Sequence, residues 1–195
     1  MLYFLIILSY FLGSILFAII FSKFMKIDDP RTYGSHNAGA TNIMRSGNKK
    51  AAVFTFLGDF LKGVLAVGIA QLVLGGVDNA KTVIALCGIA VVVGHIFPIY
   101  FKFKGGKGFA TSLGVILAFN PWLGLLVILT WLLIFKLSKI SSLSAIVSMI
   151  FAPLYAFLLM GNNAYFGATI IIALFVLYKH KANMKRLIKK QEQKM

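Results

Sequence analysis

The stretch FATSLGVILAFNPWLGLLVILTWLLIF, residues 109–135, contains no charged side chain and carries Asn120-Pro121 near its middle. As one helix with a proline kink it crosses a membrane once, and as two short helices joined by a turn it crosses twice. The two interpretations put everything that follows on opposite sides of the membrane. Asn120-Pro121 therefore decides the topology of the whole chain.

The composition around this stretch is that of a membrane protein. Of the 195 residues, 59% are hydrophobic and 13% are charged, whereas soluble domains have about 45–50% and about 25%. These values exclude a soluble globular domain, and the high apolar content also excludes a disordered chain. We predict a single polytopic membrane domain over residues 1–195.

Further apolar stretches have about the 20-residue length that a helix needs to cross the hydrocarbon of a bilayer. They cover residues 1–22, 51–74, 82–101, 140–160 and 164–178. Together with a short helical hairpin around Asn120-Pro121, they predict an all-α protein with seven transmembrane helices.

The distribution of charge favours the hairpin over the kinked helix, because Lys and Arg concentrate in cytoplasmic loops. With a hairpin, 18 of the 20 Lys and Arg residues lie on one side, in the segments 23–50, 102–107, 136–139 and 179–194. The other side carries only Lys81, which Asp78 offsets. We therefore predict an N-terminus outside and a cytoplasmic C-terminus.

The net charge of +15 indicates an anionic counterpart, either lipid headgroups or an anionic substrate. Nucleic acid is excluded, because the basic residues punctuate apolar spans and form no soluble basic face. The single cysteine, Cys87, excludes an intrachain disulfide and a cysteine-based zinc cluster. Five acidic residues make a carboxylate-bound Mg²⁺ site difficult to assemble, so we predict no metal and no cofactor.

The first basic loop, residues 31–45, places polar side chains among small residues that let a ligand approach the backbone. Ser, Thr, Asn and Arg side chains of this kind donate hydrogen bonds to oxyanions. The candidates are Ser35, Asn37, Thr41, Asn42 and Arg45. An ordinary turn with basic orientation signals explains the same composition, and the residues alone leave both interpretations open.

In the second basic loop, Gly105, Gly106 and Gly108 surround Lys107 just before a helix begins. Backbone N–H groups, a helix N-terminus and an ammonium group directed at one place favour a phosphate site. The spacing is neither that of a P-loop nor that of a dinucleotide fingerprint. The alternative is a flexible basic loop that is attracted to lipid headgroups.

After the last span, His180, Asn183 and Arg186 follow at intervals of three, which places them on one face of a helix. A polybasic tail on anionic lipid explains the lysines around them but needs neither His180 nor Asn183. We therefore interpret this face as part of a site.

Two polar features lie inside predicted spans. Asp59 and Lys62 are three residues apart on one helix face, and we predict that they pair with each other, for structure or for substrate positioning. His95 precedes Pro98 near the end of its span, and we interpret it as a satisfied polar residue and not as a catalyst.

Several segments resemble the signatures of the bacterial acyl-phosphate:glycerol-3-phosphate acyltransferases, the PlsY family. They are Gly34–Arg45, Asp59–Gly63, Gly94–Pro98, Phe103–Thr111 and the tail pattern His180-x-x-Asn183-x-x-Arg186. The resemblance implies a seven-span enzyme of the bacterial inner membrane with its active site on the cytoplasmic side. The implied reaction moves a fatty acyl group from acyl phosphate to the 1-hydroxyl of sn-glycerol 3-phosphate, which gives lysophosphatidic acid and phosphate, the first step of phospholipid synthesis. Such enzymes use no acyl-CoA.

The resemblance also implies roles for individual residues. The catalytic set is Ser35, Lys107, His180 and Asn183. The substrate- and phosphate-binding set is Arg45, Gly105, Gly106, Gly108, Asn37, Thr41, Asn42 and Ser142. The proton of the attacking hydroxyl goes either to His180 or to a phosphate oxygen of a substrate.

This chain departs from the family in two places. The loop after the fifth span reads Ser142-Leu-Ser-Ala145 where the family commonly has Ser-Leu-Ala-Ser, and the tail reads Lys190-Gln191-Glu192 where the family has Gly-Thr-Glu. A rival function is a non-enzymatic carrier or flippase for an anionic lipid or phosphate compound. Transporters place polar residues near the midplane of the membrane, whereas here they gather on one face, which favours chemistry at the interface.

Overall fold

A computed structural model describes residues 2–75 and 80–195, and all regular structure within these ranges is helical. The helices are α1 (Leu2–Gly13), α2 (Phe17–Phe24), α3 (Ala40–Arg45), α4 (Lys49–Leu74), α5 (Ala80–Ile96), α6 (Phe109–Phe119), α7 (Pro121–Ser138), α8 (Ser141–Met160), α9 (Ala164–Lys179) and α10 (Lys181–Ile188). Asp78, which was predicted to offset the charge of Lys81, lies outside the described residues.

The lengths and hydropathies of these helices confirm an all-α membrane protein. Four helices, among them α4, α7 and α8, are long and apolar enough to cross a bilayer, and up to six if each bent pair is one span. The first predicted span, residues 1–22, is such a pair, because α1 and α2 meet at an angle of 41°. Helix α6 is apolar but has only 11 residues.

The predicted break at Asn120-Pro121 is confirmed and has a local cause. The Asn120 side chain accepts hydrogen bonds from the backbone N–H groups of Trp122 and Leu123, at 2.9 and 3.1 Å, and so caps the start of α7. Pro121 occupies the first position of α7, where its missing N–H costs nothing. Since the backbone of Gly124 lies against Leu117, α7 returns along α6 as a hairpin.

Close approaches at glycine hold the central helices together. A Cβ atom at Gly63 of α4 would collide with the carbonyl of Thr111 in α6, and one at Gly114 of α6 would collide with the carbonyl of Phe60 in α4. Small residues let membrane helices approach this closely and gain packing energy that lipid cannot provide. The contact fixes where the N-terminus of α6 lies relative to α4.

Helices α4, α6 and α8 begin, and α5, α7 and α9 end, around one cavity, and we call this side of the bundle the polar end. Along the middle of the bundle the outer surface is largely apolar. Large side chains such as Leu65 and Leu72 of α4 and Leu129 and Leu133 of α7 are exposed, which suits a surface that faces hydrocarbon.

Candidate functional site

A cavity of about 650 Å³ opens at the polar end. It brings together residues from the first loop, the second loop, the start of α8 and the tail, which are distant in the sequence. The predicted site residues that line it are Ser35, Asn37, Thr41, Asn42, Arg45, Lys107, Gly108, Ser142, His180 and Asn183. Gly105 and Gly106, which were also predicted for the site, do not line the cavity.

Asn42 shapes the first loop from inside. Its Oδ1 accepts the Ser35 N–H at 2.9 Å, and its Nδ2 donates to the carbonyls of Pro30 and Tyr33 at 2.6 and 3.1 Å. Gly34 has a φ of +59° and lies so close to Asn42 that a side chain there would collide with it. Both Nδ2 hydrogens of Asn42 are thus bound to backbone carbonyls, whereas we predicted that Asn42 binds substrate.

The rest of the first loop faces the cavity. Arg45 closes the last turn of α3, and its Nε is buried without a hydrogen-bond partner among the described residues. An unpartnered guanidinium nitrogen suits an anionic ligand, because a buried donor left unpaired is costly. Thr41 Oγ1 lies 3.1 Å from Ser141 Oγ and connects the loop to α8.

The glycine loop, residues 105–108, presents Lys107 to the cavity. Gly108 has a φ of +88° and turns the chain into α6, and Lys107 Nζ donates to Asn183 Oδ1 at 2.7 Å. The Gly106 N–H donates to the carbonyl of His95 at 3.1 Å. The Gly106 amide is therefore engaged inside the protein, whereas we predicted that it binds phosphate.

Burial lowers the pKa of Lys107 to about 8, opposed by the charge of Glu192 and reinforced by the charges of Arg186 and Arg45. The ammonium form still predominates at pH 7. Because several cations surround Lys107 and one carboxylate lies nearby, an anion that enters the cavity lowers the repulsion among them.

Glu192 is the only acidic residue of the tail, residues 180–195, and no role was predicted for it. Its carboxylate accepts hydrogen bonds from Ser142 Oγ at 2.9 Å, Asn183 Nδ2 at 2.7 Å and Arg186 Nε at 2.6 Å. Its side chain is 3% exposed, and burial raises its pKa, but these hydrogen bonds outweigh burial and lower it. Glu192 therefore holds the tail and orients Asn183 toward Lys107.

His180 is buried where α9 meets α10, and it lines the cavity. Its Nδ1 lies 2.8 Å from the carbonyl of Val176, which can only accept, so Nδ1 carries the proton and Nε2 is free of it. Burial, reinforced by the charge of Lys107, lowers the pKa of His180 to about 4. His180 is thus a neutral and weak base at pH 7, which disfavours it as the acceptor of the hydroxyl proton.

The predicted pairing of Asp59 with Lys62 is confirmed, with Lys62 Nζ 2.8 Å from Asp59 Oδ1. His95 joins them, because its Nδ1 lies 3.0 Å from Lys62 Nζ and 3.4 Å from Asp59 Oδ1. Lys62 also donates to the carbonyls of Gly13 and Ile15 at 2.9 and 2.6 Å, in the break between α1 and α2. His95 is a satisfied polar residue, as predicted.

An apolar groove continues from the polar part of the cavity between α4 and α7. Its walls repeat at helical spacing: Val53, Phe56, Leu57 and Phe60 on α4, and Ile128, Trp131, Leu132 and Phe135 on α7. Each wall runs over eight residues, about 10 Å of helix from its first Cα to its last. The cavity thus suits an amphiphile whose anionic head lies at the loops and whose chain lies between the helices.

Comparison with known proteins matches the whole chain to one family. The family model described as glycerol-3-phosphate acyltransferase matches residues 3–190. Proteins named glycerol-3-phosphate acyltransferase from Chromobacterium violaceum and Thiobacillus denitrificans are 48% and 46% identical over 188 residues. The matches cover 96% of this chain and 91% and 94% of those proteins.

Solved structures of PlsY, an integral membrane glycerol 3-phosphate acyltransferase, have the same fold. The glycerol 3-phosphate form superposes with a TM-score of 0.93 at 39% identity, and the lysophosphatidic acid form with 0.91 at 38% identity. Each match covers 100% of this chain and 95% of the solved one.

The variant Glu192→Gln tests the attachment of the tail. It keeps the size of the side chain but removes the charge that binds Arg186 Nε, and a hydrogen bond to a charged group contributes about 1.5–3 kcal/mol. We expect trypsin to cleave after Lys189 and Lys190 at least about tenfold faster than in the parent protein, because the tail detaches more often. Gln193→Ala, at an exposed position of the same segment, is the control, and equal cleavage rates in both variants contradict this role of Glu192.

Proposed function

This chain belongs to the glycerol-3-phosphate acyltransferase family, and we propose that it transfers a fatty acyl group from an acyl phosphate to the 1-hydroxyl of sn-glycerol 3-phosphate. Phosphate and lysophosphatidic acid are the products. As a member of this family it is a membrane acyltransferase; the acyl phosphate donor and the independence from acyl-CoA are our proposal.

One observation carries the proposal: a single cavity joins an apolar groove to a cluster of cations. Lys107 and Arg45 line its polar part, and Phe60 and Leu132 line its groove. An acyl phosphate has the matching form, with an anionic head on an apolar chain. The second substrate is also an anion, and the cations lower the repulsion between the two.

The reaction requires positioning more than covalent chemistry, because an acyl phosphate is already activated. The 1-hydroxyl oxygen forms a bond to the acyl carbon, the bond from that carbon to the phosphate oxygen breaks, and phosphate leaves with the electron pair. Holding both reactants in this geometry contributes a large part of the rate.

We propose that a phosphate oxygen, and not His180, receives the hydroxyl proton. Burial lowers the pKa of His180 to about 4, while the second ionisation of a phosphate ester has a pKa of about 6. The phosphate dianion is therefore the stronger base of the two. His180 Nε2 remains available to accept a hydrogen bond.

The other roles follow from the placement of the residues. Lys107 and Arg45 bind phosphate, with the amide of Gly108 as a further donor. Gly105 was predicted to bind phosphate as well, but it does not line the cavity and packs against the backbone of His95. Ser35 and Asn183 orient the hydroxyl or stabilise the oxyanion, a role worth about 2.7–4 kcal/mol for a good donor. Three residues support these groups or complete the polar wall: Asn37, Thr41 and Ser142.

We further propose that the chain crosses the bacterial inner membrane seven times, with α1 and α2 as one span and α6, about 16 Å long, as a short one. The N-terminus then lies outside, and the polar end, with the active site, lies in the cytoplasm. The acyl chain reaches the groove laterally from lipid, between α4 and α7. The concentration of Lys and Arg at the polar end supports this orientation.

The variant Lys107→Ala tests the reaction. Phosphate release from acyl phosphate by the detergent-purified protein should depend on glycerol 3-phosphate, which a carrier or flippase would not require. We expect Lys107→Ala to lower turnover at least about 100-fold, because it removes the charge that meets the phosphate. Lys104→Ala, an exposed lysine just before the glycine loop, is the matched control. Near-normal turnover in Lys107→Ala contradicts the assignment.

The pH dependence of kcat/KM provides a second test. A lysine is charged below its pKa, and burial lowers the pKa of Lys107 to about 8. We expect kcat/KM to fall about tenfold per pH unit above pH 8, since this ratio reports groups of the free enzyme. In Lys107→Arg, kcat/KM of the residual activity should not fall in this way above pH 8, because the guanidinium group stays charged. The same fall in both proteins contradicts the role of Lys107.

Thiol labelling tests the orientation. In a Cys87→Ala background, we expect a membrane-impermeant reagent to label Lys104→Cys and Lys194→Cys only from the cytoplasmic side. Asn162→Cys, in the turn between α8 and α9, should be labelled only from outside. Labelling of Lys104→Cys and Lys194→Cys from opposite sides rules out the seven-span arrangement.

A further inference from the structure

The glycine loop rests directly on His95, at the end of α5. The carbonyl of His95 accepts the Gly106 N–H at 3.1 Å. A Cβ atom at Gly105 would collide with that same carbonyl, and one at Gly106 would collide with Nε2 of the His95 ring. The glycines of this loop are therefore required for close packing on one buried residue.

The Gly106 contact also reaches the first loop. The carbonyl of Ala38 lies 3.0 Å from the position that a Gly106 Cβ would take. Gly106 is thus enclosed between the His95 ring and the first loop, two residues before the first loop enters α3. A shift of the ring would displace the glycine loop and its contact with the first loop together.

The other edge of the His95 ring is held by the buried Asp59–Lys62 pair. The three side chains are 1–4% exposed. Lys62 has three N–H donors, and two of them go to the carbonyls of Gly13 and Ile15. The third lies between Asp59 Oδ1 at 2.8 Å and His95 Nδ1 at 3.0 Å. The Asp59–Lys62 pair therefore fixes the ring on its Nδ1 side, and the Nε2 side of the ring contacts Gly106 of the glycine loop.

We propose that His95 is a positioning residue: held by Asp59 and Lys62, it supports the glycine loop and thereby aims Lys107 at the substrate phosphate. This inference rests on the proposed function, since it takes Lys107 as the phosphate-binding group. His95 also lines the cavity, but its Nδ1 is bound to Lys62 and its Nε2 faces Gly106, so we place its action on the loop and not on the reacting atoms. Its loss should weaken binding of the phosphate substrate more than it slows the chemical step.

The fold should survive the removal of this ring. Without His95, Lys62 still donates to the carbonyls of Gly13 and Ile15 and still forms an ion pair with Asp59 at 2.8 Å, so no buried charge is left unpaired. In His95→Asn, the shorter amide can still reach Lys62, and only the part of the ring against Gly106 is lost. His95→Ala serves as a second variant that removes both contacts.

The experiment measures KM, kcat and thermal unfolding in detergent for the parent protein and both variants. We expect KM for acyl phosphate or for glycerol 3-phosphate to rise at least about tenfold, with kcat within about threefold and the melting temperature nearly unchanged. A normal KM for both substrates overturns the inference. A variant that is active but melts far below the parent protein also overturns it, since the role is then structural.

A double-mutant cycle identifies the contact through which His95 acts. Gly106→Ala alone should raise KM strongly, because its Cβ meets the His95 ring. In the His95→Asn background the same change should cost several-fold less, since that part of the ring is absent. Gly105→Ala is the matched control, because its Cβ meets the backbone of His95 and should cost the same in both backgrounds. Equal costs for Gly106→Ala in both backgrounds overturn the inference.

The parent protein separates this inference from the proposed function. If it releases phosphate only with both substrates and the His95 variants behave normally, His95 has no positioning role and the proposed function stands. If the parent protein shows no such release, the proposed function fails and the inference fails with it.

Discussion

The ammonium group of Lys62 is a charge in the apolar interior of the bundle, and it is stable there only because every one of its donors has a partner. Two of those partners are the carbonyls of Gly13 and Ile15, which the break between α1 and α2 frees from helical hydrogen bonds. The break between α1 and α2 therefore supplies acceptors to the buried lysine, and the lysine supplies donors to the carbonyls of the break. Lys62 and Asp59 of α4 hold His95 of α5, and His95 contacts the glycine loop. The position of Lys107 in that loop therefore depends on Lys62, which is remote from it in the sequence.

At the polar end the charges are not fully paired, and positive side chains outnumber negative ones. Lys107 and Arg45 line the cavity together with Glu192, and Glu192 accepts a hydrogen bond from Arg186 beside the cavity. Glu192 neutralises Arg186 and orients Asn183, which in turn holds Lys107. The net excess of positive charge is what a site for two anionic substrates requires. In the proposed reaction, the adjoining groove holds the acyl chain in an apolar environment and the chemistry takes place at the membrane interface.

Much of this arrangement could be predicted from local patterns. The turn at Asn120-Pro121 follows from a side-chain cap and from proline, both of which act within three residues. The Asp59–Lys62 pair follows from helical spacing. The contribution of His95 to that pair, the buried Glu192 and the engagement of the Gly106 amide could not be predicted, because each depends on a partner from another helix or loop.

The sequence by itself determined most of the helices, the hairpin and the gathering of the basic loops, since apolar length, capping and charge are properties of short segments. The break between α1 and α2 was not predicted. Only the tertiary structure decided which polar groups remain free for a ligand. Asn42 and Gly106 use their hydrogen bonds inside the protein, while Arg45 Nε and His180 Nε2 form none with the residues that the structure describes. Tertiary structure also decided the protonation of the site, because burial and neighbouring charges lower the pKa of Lys107 to about 8 and that of His180 to about 4. A hydrogen bond and a desolvation cost both require two surfaces to meet, and the residues that form those surfaces are far apart in the chain.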